Sequence, residues 1–100
     1  PENRLVLRLP VELTAANLGL YRIAVDDEWK TIEGRGHPGG VIVDAYAVEF
    51  IDSAALGFLV AVKKKAEQAG ITFRCFGFCG GALRTLKLAR LEHLVTDAGV

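Results

Sequence analysis

Leu5-Val6-Leu7-Arg8-Leu9 is a strand-like run, and Pro10 weakens its continuation. Val11-Glu12-Leu13 then leads to Thr14, a residue suited to cap a helix. From Ala15 to about Ile32 the apolar positions Leu18, Tyr21, Val25, Trp29 and Ile32 recur at spacings of three and four, which puts them on one helical face. Arg22, Asp26, Glu28 and Lys30 supply the polar face. Gly34-Arg35-Gly36-His37-Pro38-Gly39-Gly40 reads as a loop. The short apolar run Val41-Ile42-Val43 predicts a strand buried on both faces, ended by Asp44.

A second helix is predicted from Asp52 or Ser53 to about Ala69. Its first half, with Leu56, Phe58, Leu59, Val60 and Val62, is apolar nearly all round, so it should be covered on more than one side. Lys63-Lys64-Lys65 opens the solvated second half, and the lysines suit the negative end of the helix dipole. Gly70 follows as a stop signal. Ile71 to Phe76 is the next strand, broken by Gly77, Gly80 and Gly81. A third helix offers Leu83, Leu86 and Leu88 to the core. Leu91, Leu94 and Val95 predict a short docking segment before a frayed tail from Thr96 to Val100. Strands alternating with helices of this length imply crossover connections and a largely parallel sheet. The expected fold is α/β: residues 1–100 as one domain, with a four- to five-stranded mixed sheet packed with three to four helices.

Composition narrows the function. The chain has 100 residues, 51% hydrophobic and 24% charged, enough for a packed core. Its formal net charge is zero, which argues against nucleic acid as the main partner. No apolar run approaches the length of a membrane span, and no signal-peptide pattern opens the chain, so a cytoplasmic protein without membrane insertion is expected. Cys75 and Cys79 lack the companions of a zinc site and read as two reduced thiols.

Catalysis finds little support. The two histidines, His37 and His93, have no telling carboxylate neighbour, and no Gly-x-Ser-x-Gly elbow is present. No phosphate-cradling glycine motif appears, although Gly80-Gly81 before a helix would hold an anion weakly. Asp44, Glu49 and Asp52 form a small acidic group with no fixed set of metal ligands. A protein without enzymatic activity or cofactor is therefore expected. What stands out is Asp52-Ser53, which opens an apolar helix after a buried strand and a short loop. A serine there sits among unpaired backbone N–H groups at the positive helix end. Two roles suit it: a helix cap, or a phosphorylation switch read by a partner protein.

Taken together, Val11-Glu12-Leu13-Thr14, Val41-Ile42-Val43-Asp44, the pair near Val48 and Phe50, Ile51-Asp52-Ser53-Ala54-Ala55-Leu56-Gly57 and Leu86-Lys87-Leu88-Ala89-Arg90-Leu91 resemble a STAS domain, the fold of bacterial anti-sigma factor antagonists. The likeness runs from about Leu7 to Val95, and its most specific part is Asp-Ser-x-x-Leu-Gly. The resemblance implies a transcription-regulating signalling protein that binds a serine-kinase anti-sigma factor and releases it on phosphorylation of Ser53. Asp52, Ala54, Ala55, Leu56, Gly57, Asp44 and Thr14 would surround the partner-binding site. Three positions depart from the family pattern: Ala55 stands for a usual Gly, Ala54 for a common Ser or Thr, and Thr14 for an Asp. Ala55 is expected to crowd the backbone beside the serine. The resemblance carries a second setting, a STAS subunit seated on the ATPase of a lipid-transporting ABC complex, where Asp-Ser-Ala is not unusual.

Overall fold

The structure, a computed structural model, describes residues 4–34 and 39–95. The expected α/β fold is observed, with five strands and three α-helices among the described residues. Strand β1 (Arg4–Arg8) turns Leu5 and Leu7 inward and Arg4, Val6 and Arg8 outward. It pairs in parallel with β3 (Gly40–Asp44), which pairs in parallel with β5 (Thr72–Phe76). Two short strands, β2 (Glu12–Leu13) and β4 (Phe50–Ile51), form a second parallel pair. All three strand pairs among the described residues are parallel, which narrows the expected mixed sheet to its parallel part.

The two sheets are one twisted ribbon interrupted at Pro10. A proline has no N–H to give to a ladder. Backbone bonds carry the pairing past it: Leu9 N donates to Asp44 O at 2.9 Å, and Glu49 N to Val11 O at 2.7 Å. Arg8 faces Asp44, whereas Glu12 faces Phe50, so the chain spends two more residues between β3 and β4 than between β1 and β2. That surplus falls in the loop from Ala45 to Glu49. It delivers Ile51, 1% exposed, into the core directly before the second helix.

Helix α1 (Leu18–Gly34) joins β2 to β3, and α2 (Ser53–Gln68) joins β4 to β5. Both crossovers step the same way along the order β1-β3-β5, and right-handed crossovers then place both helices on one face of the sheet. Leu18, Val25 and Trp29 of α1 meet Phe58, Leu59 and Val62 of α2 in the same buried cluster as Leu5, Leu7, Val41, Val43 and Cys75. Two cations seal the seam between the helices. Arg22 lies 5.7 Å from the centre of the Phe58 ring, and Lys65 lies 4.9 Å from Trp29. Helix α3 (Gly80–Leu88) and a 3-10 turn (Glu92–Leu94) close the other end against β4, and Leu94 and Val95 dock into the core.

Several expectations change. Helix α1 starts at Leu18, not Ala15, because a capped turn over Thr14 to Asn17 precedes it. It runs on to Gly34, and Gly40 already belongs to β3, so the glycine-rich loop is shorter at both ends; its residues 35–38 lie outside the described residues. The same holds for the tail at 96–100 and for the Ile32 side chain. Ile42 is only half-buried: the helices cover one face of β3, and the other carries β1 and β5 side chains facing outward. Leu88 is 81% exposed rather than buried. Ala82 and Leu86 form the inward stripe of α3, and two residues of helical turn carry Leu88 to the opposite side. Cys75 is buried and Cys79 exposed, and both are free thiols.

Helices α2 and α3 end alike. After α2, Gly70 N donates to Glu67 O and Ile71 N to Ala66 O, both at 3.0 Å, with Gly70 at φ 73°. After α3, Arg90 N donates to Lys87 O at 3.0 Å and Leu91 N to Leu86 O at 2.8 Å, but the left-handed position is held by Arg90 at φ 59°. A side chain there carries strain that glycine avoids. Arg90→Gly is therefore expected to raise stability by about 0.5–1 kcal/mol in urea unfolding. Gly77 is the reverse case. At φ 99°, an added Cβ would stand 2.6 Å from Tyr46 Cγ and 2.7 Å from Tyr46 N. Gly77→Ala is expected to cost about 2–5 kcal/mol in the same measurement.

Candidate functional site

Ser53 is the first residue of α2, and its side chain is exposed. The cap before it is Asp52, in extended backbone at φ −104° and ψ 179°. Asp52 Oδ1 accepts from Ala55 N at 2.9 Å, which satisfies one of the orphan donors at the helix start. The capping task thus falls to Asp52. The Ser53 hydroxyl makes no hydrogen bond among the described residues.

The second carboxylate oxygen of Asp52 has a different use. Oδ2 accepts from Ala15 N at 2.9 Å, a residue 37 positions away and in the turn that leads into α1. That turn is closed on itself. Thr14 Oγ1 accepts from Ala16 N at 3.2 Å, and Asn17 Oδ1 accepts from Thr14 N at 2.9 Å, a reciprocal capping arrangement. Asn17 Nδ2 also donates to Glu12 O at 2.8 Å, tying the turn to β2. The pairing of Leu13 with Ile51 brings Thr14 beside Asp52. One carboxylate therefore holds the starts of both helices at the end of the β2–β4 ribbon. The N–H of Ala15, followed by that of Ala55, holds the Asp52 carboxyl below its ordinary carboxylate range, since both bonds favour the charged form.

The remaining site residues divide into a surface and a support. Ala54 is half-buried, while Ala55 and Leu56 are buried at 0% and 5% exposure. The Ala55 methyl points into the core and does not lie beside the serine hydroxyl on the surface; any part these two residues take in recognition runs through the seating of α2. Gly57 is exposed with open space around it, and Ala61 is exposed one turn further on. Ser53, Gly57 and Ala61 recur at a spacing of four and so form a flush stripe of small residues along α2. The first half of α2 is thus covered on all but this one side, and the second half also exposes Lys64, Lys65, Glu67 and Gln68. The exposed apolar side chains Val11 and Phe50 lie on the ribbon that leads to the stripe, and Val11 O accepts from Phe50 N at 3.1 Å.

Asp44 sits apart, at the end of β3 on the sheet face away from the helices. Its Oδ1 accepts from Tyr46 N at 3.1 Å, an Asx turn, and its Oδ2 lies 3.8 Å from Arg8 Nε. These partners belong to β1 and to the start of the 45–49 loop, not to the α2 start. No group of three His, Cys, Asp or Glu gathers as metal ligands among the described residues. Sequence reasoning overlooked Asn17, although the Thr-x-x-Asn spacing is a readable cap signal, and the bond from Ala15 to Asp52, for which no local signal exists.

The lowered carboxyl of Asp52 has a defined pH signature. A group whose folded pKa is depressed contributes stability above its unfolded value, about 3.9, and loses that contribution as pH falls through the folded value. In Asp52→Asn a single carbonyl oxygen replaces two carboxylate oxygens, so one of the two helix starts goes unheld. The variant is expected to melt several degrees below wild type at neutral pH. The two melting curves should converge once pH falls well below about 3.9. A constant difference across that range would show that Asp52 acts without its charge.

A family model described as STAS domain matches residues 1–98. No curated protein and no solved structure matches the chain. STAS domains are typically regulatory or accessory rather than enzymatic. Among the described residues no helix is long and apolar enough to cross a membrane. The match spans nearly the whole chain, and the small α/β fold is consistent with it: the protein belongs to the STAS domain family.

Proposed function

We propose that this STAS domain is an anti-sigma factor antagonist, which binds a serine-kinase anti-sigma factor and is switched off by phosphorylation of Ser53. One observation carries the reading: Asp52 caps α2, which leaves the Ser53 hydroxyl exposed and unbonded at the helix start. A serine that capped the helix would have to surrender its bond before accepting a phosphate. Ser53 has none to surrender. A phosphate there adds about −1.5 to −2 charges at neutral pH, beside the positive end of the helix dipole. The fold tolerates that charge, while a partner seated on the Ser53–Gly57–Ala61 stripe meets it at the end of the stripe where α2 begins. The switch acts through the interface and leaves the core as it was.

Ser53→Asp is expected to keep the wild-type melting temperature within a few degrees and to weaken partner binding. Ser53→Ala should bind and fail to release. The test captures partners from the native lysate on wild type and on Ser53→Asp, identifies them by mass spectrometry, and treats each with the captured kinase and ATP. A histidine-kinase-like ATPase that is held by wild type alone, and that phosphorylates wild type but not Ser53→Ala, supports the reading. Capture of an ABC ATPase by both forms would overturn it in favour of a transporter accessory subunit. Unfolding of Ser53→Asp would overturn it through the fold.

A further inference from the structure

The sheet face turned away from α1 and α2 carries three rows of side chains in register across β1, β3 and β5. They are Arg4, Gly40 and Thr72; then Val6, Ile42 and Arg74; then Arg8, Asp44 and Phe76. The third row is electrostatically closed, because Arg8 lies 3.8 Å from Asp44. The first two are open. Neither Arg4 nor Arg74 has a carboxylate partner among the described residues. Both line one cavity of about 310 Å³, whose other walls are Gly39, Gly40, Ile42 and Thr72.

Gly40 makes that cavity. A glycine inside a strand weakens it and marks a place where something approaches the backbone closely. An added Cβ at Gly40 would stand 2.6 Å from Thr72 Oγ1, so a side chain here would fill the floor between β1 and β5. Those two strands lie about 10 Å apart across β3, which leaves room for a small ligand between the two guanidinium groups. Thr72 Oγ1 donates to Gly39 O at 3.4 Å, a long bond that a stronger acceptor would displace. Two arginines of fixed charge and one hydroxyl donor, with no acidic wall among the described residues, select a compact dianion with oxygens facing both sides.

We propose that this cavity binds a phosphate group, held between Arg4 and Arg74 with Thr72 as a third donor. The site lies on the opposite side of the sheet from the α2 stripe and does not depend on the Ser53 reading. The test follows backbone amide signals of the whole protein by NMR during titration with inorganic phosphate, against chloride at equal ionic strength. Saturable shifts at residues 39–42 and 72–74 are expected with phosphate and not with chloride. Arg4→Ala and Arg74→Ala should each weaken binding by about tenfold or more, and Arg8→Ala should leave it unchanged. All three positions are exposed, so the variants are expected to melt as wild type does. Sedimentation with phosphatidylcholine vesicles, with and without phosphatidylglycerol, separates the sources. Co-sedimentation that needs both phosphatidylglycerol and the two arginines assigns a lipid headgroup, and phosphate binding without it assigns a soluble molecule. Equal shifts with chloride, or undiminished phosphate binding in Arg4→Ala and Arg74→Ala, would overturn the proposal.

Discussion

The arrangement of the site depends on one carboxylate. Asp52 accepts from Ala55 N with one oxygen and from Ala15 N with the other, each at 2.9 Å. Either bond alone would be an ordinary cap or an ordinary loop contact. Together they fix the start of α2 relative to the turn before α1, across the short β2–β4 pair. Two residues per strand make a weak ladder, and the buried Leu13 and Ile51 supply its apolar anchor. The carboxylate adds direction to that anchor. Because it also relieves Ser53 of the capping task, the residue that organises the site and the residue left exposed with an unbonded hydroxyl are adjacent but distinct.

The division of labour between the two faces of the sheet follows from topology. Both crossovers fall on one side, so the alternate residues Leu5, Leu7, Val41, Val43 and Cys75 build the core, and their neighbours in each strand have no layer above them. The open face sets Arg4, Arg8, Arg74, Asp44 and Thr72 among Val6, Ile42 and Phe76. The domain thereby gains two surfaces of unlike character: a flush, nearly uncharged stripe on α2 and a basic hollow on the sheet.

The main elements were legible in the sequence because their signals are local. The helical spacing of Leu18, Val25 and Trp29, the apolar Val41-Ile42-Val43 and the Gly70 stop all correspond to what the chain does. The opening of α2 at Ser53 was legible too, down to the choice between Asp52 and Ser53. Three things were not. Ile42 looked as buried as its neighbours, because a strand's own residues do not say whether a second layer covers them. Leu88 looked like core, because leucine content alone does not fix the phase of a short helix. The tie from Ala15 to Asp52 joins residues 37 apart, and it exists only once β2 and β4 have paired.

The stripe on α2 has one further consequence, in entropy rather than charge. Serine, glycine and alanine have little or no rotamer freedom to lose, whereas long side chains give up about 1.5–2 kcal/mol each when immobilised. Ser53, Gly57 and Ala61 therefore lose almost no freedom of their own when a partner settles on them. The surface is rigid before it is touched, and its affinity is set by fit. On so smooth a helix face, the bulk of a single added group at position 53 would stand clear of everything around it, and a partner shaped to the bare stripe would have no rearrangement of side chains with which to make room.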